Sequence, residues 1–302
     1  MTNRIAFYYS IYSDDNIENS IVYLTRLAYN IKYYLANDLY EHFDLIINTD
    51  DFTQNILREI IHCERVDTMY FVNGVHRENH IIWRIFNRNS GSKGMFWRLN
   101  SFVDTSYDIT INAEGDWPIQ NYFKQLEFFK QRPDTAIMFR NMRQFEKNTS
   151  ALDGGCIFIR PNLIPKECRD KFKDFIDLVD NLSYVMYGMD ETFIKKFTVK
   201  NLKDVRIIFW LNKSTVKDNI VDEEHEIEVL NNLFTNCDVI HSQDMEKAMK
   251  DIKSPYKNEK VEQLKYLVEL NGQKFYIFDK MFLKLKHAPG SRNNQFLEKK
   301  FF

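Results

Sequence analysis

Little in this sequence ties the chain to a membrane, an oxidising compartment or a polyanion. No run approaches the roughly 18 apolar residues that a spanning helix needs, and MTNRIAFYYS becomes too polar beyond Ser10 to begin one. The four cysteines, Cys63, Cys156, Cys168 and Cys237, show no CxxC spacing and no paired framework. With no signal peptide evident, they are expected as reduced thiols in a cytoplasmic protein. A formal net charge of -2 over 302 residues gives no electrostatic case for general nucleic-acid binding. Internal repeats and low-complexity linkers are missing too. What is plentiful is apolar side chain: 44% hydrophobic and 15% aromatic residues are enough for a large core and argue against disorder.

Periodicity predicts an alternation of strands and helices. Strands are expected over 4–11 (RIAFYYSI), 42–51, 66–73, through YDITINA to about 113, and over 135–141, 154–161 and 205–211. Helices are expected after Asp14, Asp15 and Asn16 through IVYLTRLAYNIKYYLAND, then over 52–63, 95–103, 119–131, 166–182 and 190–197. Such alternation predicts an α/β fold with a parallel or mixed sheet covered by helices on both faces. The polar stretch SPYKNEK (254–260) is the best candidate for a joint between a core of residues 1–253 and a C-terminal extension, 254–302.

Acids gather where the predicted strands end. Asp50 and Asp51 follow the second strand, and Glu114 and Asp116, separated only by Gly115, follow YDITINA. In open α/β sheets ligands collect at the carboxyl ends of strands. Two like charges at the end of a core strand are costly unless something positive sits beside them. Glu114 and Asp116 can be solvated turn acids, or they can hold Mg²⁺ or Mn²⁺, hard ions that take carboxylate oxygens and keep positions open for phosphates. The acidic run DEEHEIE (222–228) has a plainer explanation, because acids favour the first turn of a helix.

The stretch FWRLNSFVDTSYDITINAEGDW resembles the segment of GT-A-fold nucleotide-sugar glycosyltransferases that runs from an Arg-Leu helix into the DxD strand. Arg98-Leu99, Tyr107-Asp108 and Glu114-Gly115-Asp116 stand in those places, with Glu where the family has its first Asp. Further look-alikes follow in order: Asp153-Gly154-Gly155 for the acceptor-side glycines, Asp190-Glu191 for the acidic pair near the acceptor, and His287 for a C-terminal metal-binding histidine. The resemblance implies a GT-A-like, mixed and mainly parallel sheet flanked by helices, with a C-terminal helical extension completing the donor site. Its nucleotide-binding half would be about 1–117 and its acceptor half about 118–253.

The same resemblance implies a metal-dependent glycosyltransferase that moves a sugar from a nucleotide-sugar, a UDP-sugar first, to a hydroxyl of a glycan, protein, lipid or small molecule. Asp116, Glu114 and His287 would hold manganese (Mn²⁺) or Mg²⁺. Tyr9, Tyr12, Asp50, Asp51, Lys93, Glu114, Gly154, Gly155 and Lys286 would line the donor site, and Lys284 and Arg292 would add positive charge over the leaving group. Asp190 or Glu191 would act as the base and Arg98 would face the diphosphate or the acids, a pattern of inverting enzymes, although retaining families share the Arg-Leu helix. Two rivals stand beside this reading. A sugar-phosphate nucleotidyltransferase shares the sheet but typically opens with a glycine-rich loop after strand one, where this chain has YYSIYSDDN. The other is a non-catalytic relative that binds sugars or nucleotides.

Overall fold

A computed structural model describes residues 4–13, 17–62, 78–86, 96–140, 155–180, 189–211, 223–256, 264–270, 273–279 and 297–298. Its centre is an eight-stranded sheet in the order β3-β2-β1-β4-β6-β5-β7-β8. The strands are β1 (Ile5–Ser10), β2 (Asp44–Thr49), β3 (Ile81–Ile85), β4 (Ile109–Ala113), β5 (Ile137–Arg140), β6 (Cys156–Ile159), β7 (Ile207–Leu211) and β8 (Cys237–His241). All pair in parallel except β6, which runs antiparallel to both β4 and β5. This is the mixed, mainly parallel sheet that the resemblance implies. IAFYYS, ITINA and IIFWL are almost wholly buried along their length, as strands covered on both faces should be.

Alternate residues of the central strands feed two large cores, while Ala6, Tyr8 and Ile46 of β1 and β2 join Tyr107 in a smaller one. Phe7, Tyr9, Ile47, Ile111 and Phe158 face helices α1 (Ile17–Ala36), α2 (Asp51–His62) and α4 (Phe123–Lys130). Ile137, Phe139, Ile157, Ile159, Ile207 and Phe209 face the other way, toward α5 (Lys166–Asp180), α6 (Met189–Asn201) and α7 (Glu223–Leu233). A short helix, α3 (Asn100–Val103), packs on α5, and α8 (Ser242–Lys250) closes the parallel series. Among the described residues no helix is long and apolar enough to cross a membrane.

Two expectations change, and a third, the strand over 66–73, lies outside the described residues; among the described residues the strand beside β2 is 81–85. The single helix expected over 119–131 divides into a 3-10 turn, Ile119–Tyr122, and α4, because Pro118 enters with extended backbone and the chain must bend before it can coil. The C-terminal extension is not helical where it is described. Residues Leu264–Leu270 (β9) and Gln273–Asp279 (β10) form an antiparallel hairpin to which Leu297–Glu298 (β11) adds. Both long segments are rich in aromatic and branched residues, and the Asn-Gly pair at 271–272 between them is a strong hairpin signal. The hairpin approaches α1 and α2.

Candidate functional site

At the carboxyl edge of the sheet, β4 ends in a turn over Glu114, Gly115, Asp116 and Trp117, closed by the Trp117 amide donating to the Glu114 carbonyl at 3.2 Å. Asn30, fully buried on α1, sets the shape of this turn. Its side-chain amide donates to the Gly115 carbonyl at 3.0 Å and to the Trp117 carbonyl at 2.8 Å, while its oxygen accepts from the Ile119 amide at 3.0 Å. A Cβ on Gly115 would lie 3.3 Å from Leu27 Cβ, so α1 comes as near as the backbone permits.

The opposite wall is Gly155, the residue that leads into β6. The Glu114 amide donates to the Gly155 carbonyl at 3.1 Å, and the Tyr122 hydroxyl donates to the same carbonyl at 3.0 Å. A side chain on Gly155 would overlap Glu114, since its Cβ would lie 1.6 Å from Glu114 Cγ and 2.0 Å from Cδ. Glycine therefore leaves the Glu114 side chain its place, and any larger residue would force it aside. Tyr122 is wholly buried, and burial pushes its phenol well above the usual range, so it serves as a neutral hydrogen-bonding strut.

The charge that two neighbouring acids demand is present. Arg26 Nη1 on α1 lies 3.9 Å from Asp116 Oδ2, with the two side chains 4% and 9% exposed. Arg26 and Asn30 are one helical turn apart, so a single stretch of α1 both shapes the turn and balances its charge. Asp190, in the first turn of α6 and 1% exposed, lies 3.1 Å from Arg98 Nε. Arg98 comes from the 3-10 turn over 96–99. That turn is anchored by Asn48, whose amide donates to the Trp97 carbonyl at 3.3 Å, and by Trp97 stacking on Phe86 at 4.8 Å. The acid and the arginine singled out separately in the sequence are thus brought together as one ion pair.

Among the expected donor residues, Tyr12 and Asp50 follow the ends of the neighbouring strands β1 and β2. The amides flanking Tyr12 are fixed by the Asn48 carbonyl, 3.0 Å from the Ile11 amide, and by Thr53 Oγ1, 2.8 Å from the Ser13 amide. Asp50 is buried and accepts from the Thr53 amide at 2.7 Å, which makes it the N-cap of α2. Asp51, next to it, is exposed. Tyr9 departs from its expected place beside the nucleotide. It is 1% exposed within the main core, where burial pushes its phenol well up. Its odd position on β1 turns it toward α1 and α2 with Phe7. Glu191 is half-buried. Lys93, Gly154, Lys284, Lys286, His287 and Arg292 lie outside the described residues. Among the described residues no group of three or more His, Cys, Asp or Glu side chains is placed to hold a metal ion by side chains alone.

Arg26 and Asn30 were not singled out by sequence. In the sequence they read as polar positions of an amphipathic helix; in the structure Leu24, Thr25, Arg26, Leu27 and Ala28 are consecutively buried.

No protein-family model matches the chain, and no curated protein matches it. Among solved structures the chain is similar to 4-diphosphocytidyl-2C-methyl-D-erythritolsynthase from Anaerococcus prevotii DSM 20548. That likeness has 8% identity and a TM-score of 0.39, and covers 77% of this chain and 96% of that one.

Proposed function

We propose that the chain is a transferase acting on a nucleotide-activated substrate, and specifically a glycosyltransferase that uses a nucleotide-sugar, a UDP-sugar first. The observation that carries this reading is the Glu114–Asp116 turn, pinned by Asn30 at the carboxyl edge of a mainly parallel sheet and walled by a glycine that leaves the Glu114 side chain its place. That edge is where such sheets take nucleotides. The loop that joins β1 to the rest of this edge, Ser10 to Ser13, contains no glycine, which favours glycosyl transfer over nucleotidyl transfer.

The donor set fits a divalent ion. Mn²⁺ or Mg²⁺ is commonly held by one or two carboxylates together with substrate phosphates, and Asp116 with Glu114 supplies that chemistry without needing a third ligand. Bound there, the ion would neutralise charge on the departing diphosphate. The chain's own residues do the rest. Arg26 offsets the acids, and Tyr12 and Asp50 border the place of the nucleoside. The acceptor oxygen bonds to the anomeric carbon while the bond from that carbon to the diphosphate breaks. The hydroxyl proton passes to the acidic pair that opens α6. Within that pair Asp190 holds Arg98 in place, and Glu191 is the more accessible carboxylate.

A thermal-shift screen of nucleotide-sugars with and without Mn²⁺ tests the reading. Donor-specific stabilisation that requires the metal is expected. Stabilisation by free nucleoside triphosphates alone would instead point to a nucleotidyltransferase.

A further inference from the structure

Arg140, the last residue of β5, is held between two indoles. Its guanidinium carbon lies 3.8 Å from the centre of the Trp117 ring and 5.1 Å from that of Trp210. Trp210 is its direct neighbour in register on β7, and Trp117 follows Asp116 in the turn described above. The stack supplies a cation–π partner on each side but leaves the hydrogen-bonding edge unanswered. Nε and Nη1 of Arg140 are buried without a hydrogen-bond partner, and so is Nε1 of Trp210. Among the described residues no carboxylate pairs with Arg140.

Three N–H donors in one place, all unmatched, are unusual in a folded protein. The planar fork of the guanidinium suits an oxyanion, which it can meet with two parallel hydrogen bonds. Arg26 and Arg98 also bury one guanidinium nitrogen each without a hydrogen bond, but each faces a carboxylate, Asp116 and Asp190 respectively.

We propose that Arg140, clamped by Trp117 and Trp210, is the receptor for an anionic group, a carboxylate or a phosphate, carried by the acceptor. The assignment to the acceptor rests on the transferase reading, since β5 and β7 lie on the far side of β6 from β1, β2 and β4, whose ends carry the donor residues. Binding of the anion itself does not depend on transfer.

Tryptophan fluorescence reads the site directly, because two of the four tryptophans of the chain form the clamp. The probes are glucuronate for the carboxylate, glucose 6-phosphate for the phosphate, and glucose as the neutral control. Saturable quenching by one anionic sugar and none by glucose is expected, and which sugar responds identifies the anion. Arg140→Lys, which keeps the charge but loses the fork, should weaken binding about tenfold. Trp210→Phe, which keeps a ring and loses one N–H, should weaken it about threefold. UDP affinity should be unchanged in both variants. No saturable response to either anion, or an equal response in Arg140→Met that remains folded by circular dichroism, would overturn the proposal. Failure of the wild-type protein to bind UDP would sink the transferase reading and leave the anion site standing.

Discussion

Asp116 and Asp190 are both nearly buried and both face an arginine, yet they are held in different ways. Asp116 sits in a turn whose shape is set by the side chain of Asn30 on neighbouring backbone groups, and Arg26 stands off at 3.9 Å. Asp190 begins a helix and lies closer to its arginine, at 3.1 Å, with almost no exposed surface. In the first region the fold does not rely on the charge; in the second, charge and fold are joined. A carboxylate whose position is fixed by other groups can exchange one counter-charge for another, which is what a site for a metal-bound diphosphate needs. A carboxylate locked to its arginine positions that arginine.

The comparison is broken or sharpened by four substitutions. The largest effect is expected for Arg98→Met, which leaves Asp190 buried and uncompensated, at a cost of about 4 kcal/mol. Urea unfolding would show it as a lower midpoint at unchanged slope, and adding Asp190→Leu should recover most of the loss. Next comes Asn30→Ala, which strips partners from Gly115, Trp117 and Ile119 and should cost about 2 kcal/mol in the same experiment. Gly155→Ala forces the Glu114 side chain aside and should cost about 1 kcal/mol, with a far larger loss of turnover. No larger is Asp116→Asn, which keeps the shape of the turn and loses only the 3.9 Å approach of Arg26, expected to lower stability by about 1 kcal/mol. An Asp116→Asn cost as large as that of Arg98→Met would show that the two regions are held alike.

Much of this site is legible in the residue pattern because it sits at strand ends, where an acid after an alternating apolar run stands out. Glu114, Asp116 and Asp50 were marked in that way, and Arg98 by the Arg-Leu pair of the resemblance. Their partners were not. Arg26 and Asn30 lie on α1, more than eighty residues before the turn they serve, and look like the polar stripe of an amphipathic helix. Only the packing of α1 against Gly115 reveals that the stripe faces inward. Tyr9 failed for the opposite reason. Its place at the end of β1 suggested a ligand, but which face of a strand an aromatic residue takes is decided by register, and here register turns it into the core. The C-terminal hairpin shows a third case, in which the resemblance implied a helical extension and the Asn-Gly pair between the two strands was not read.

Calorimetry of UDP-sugar binding, in Mn²⁺ and after chelation, with the wild-type chain and with Asp116→Asn, tests the central claim most directly. Affinity should fall by at least about tenfold on chelation and by a similar factor in Asp116→Asn, without a further fall when the two are combined, because both remove the same bridge. Equal affinity in all four arms would contradict the assignment of the Glu114–Asp116 turn as the metal-dependent donor site.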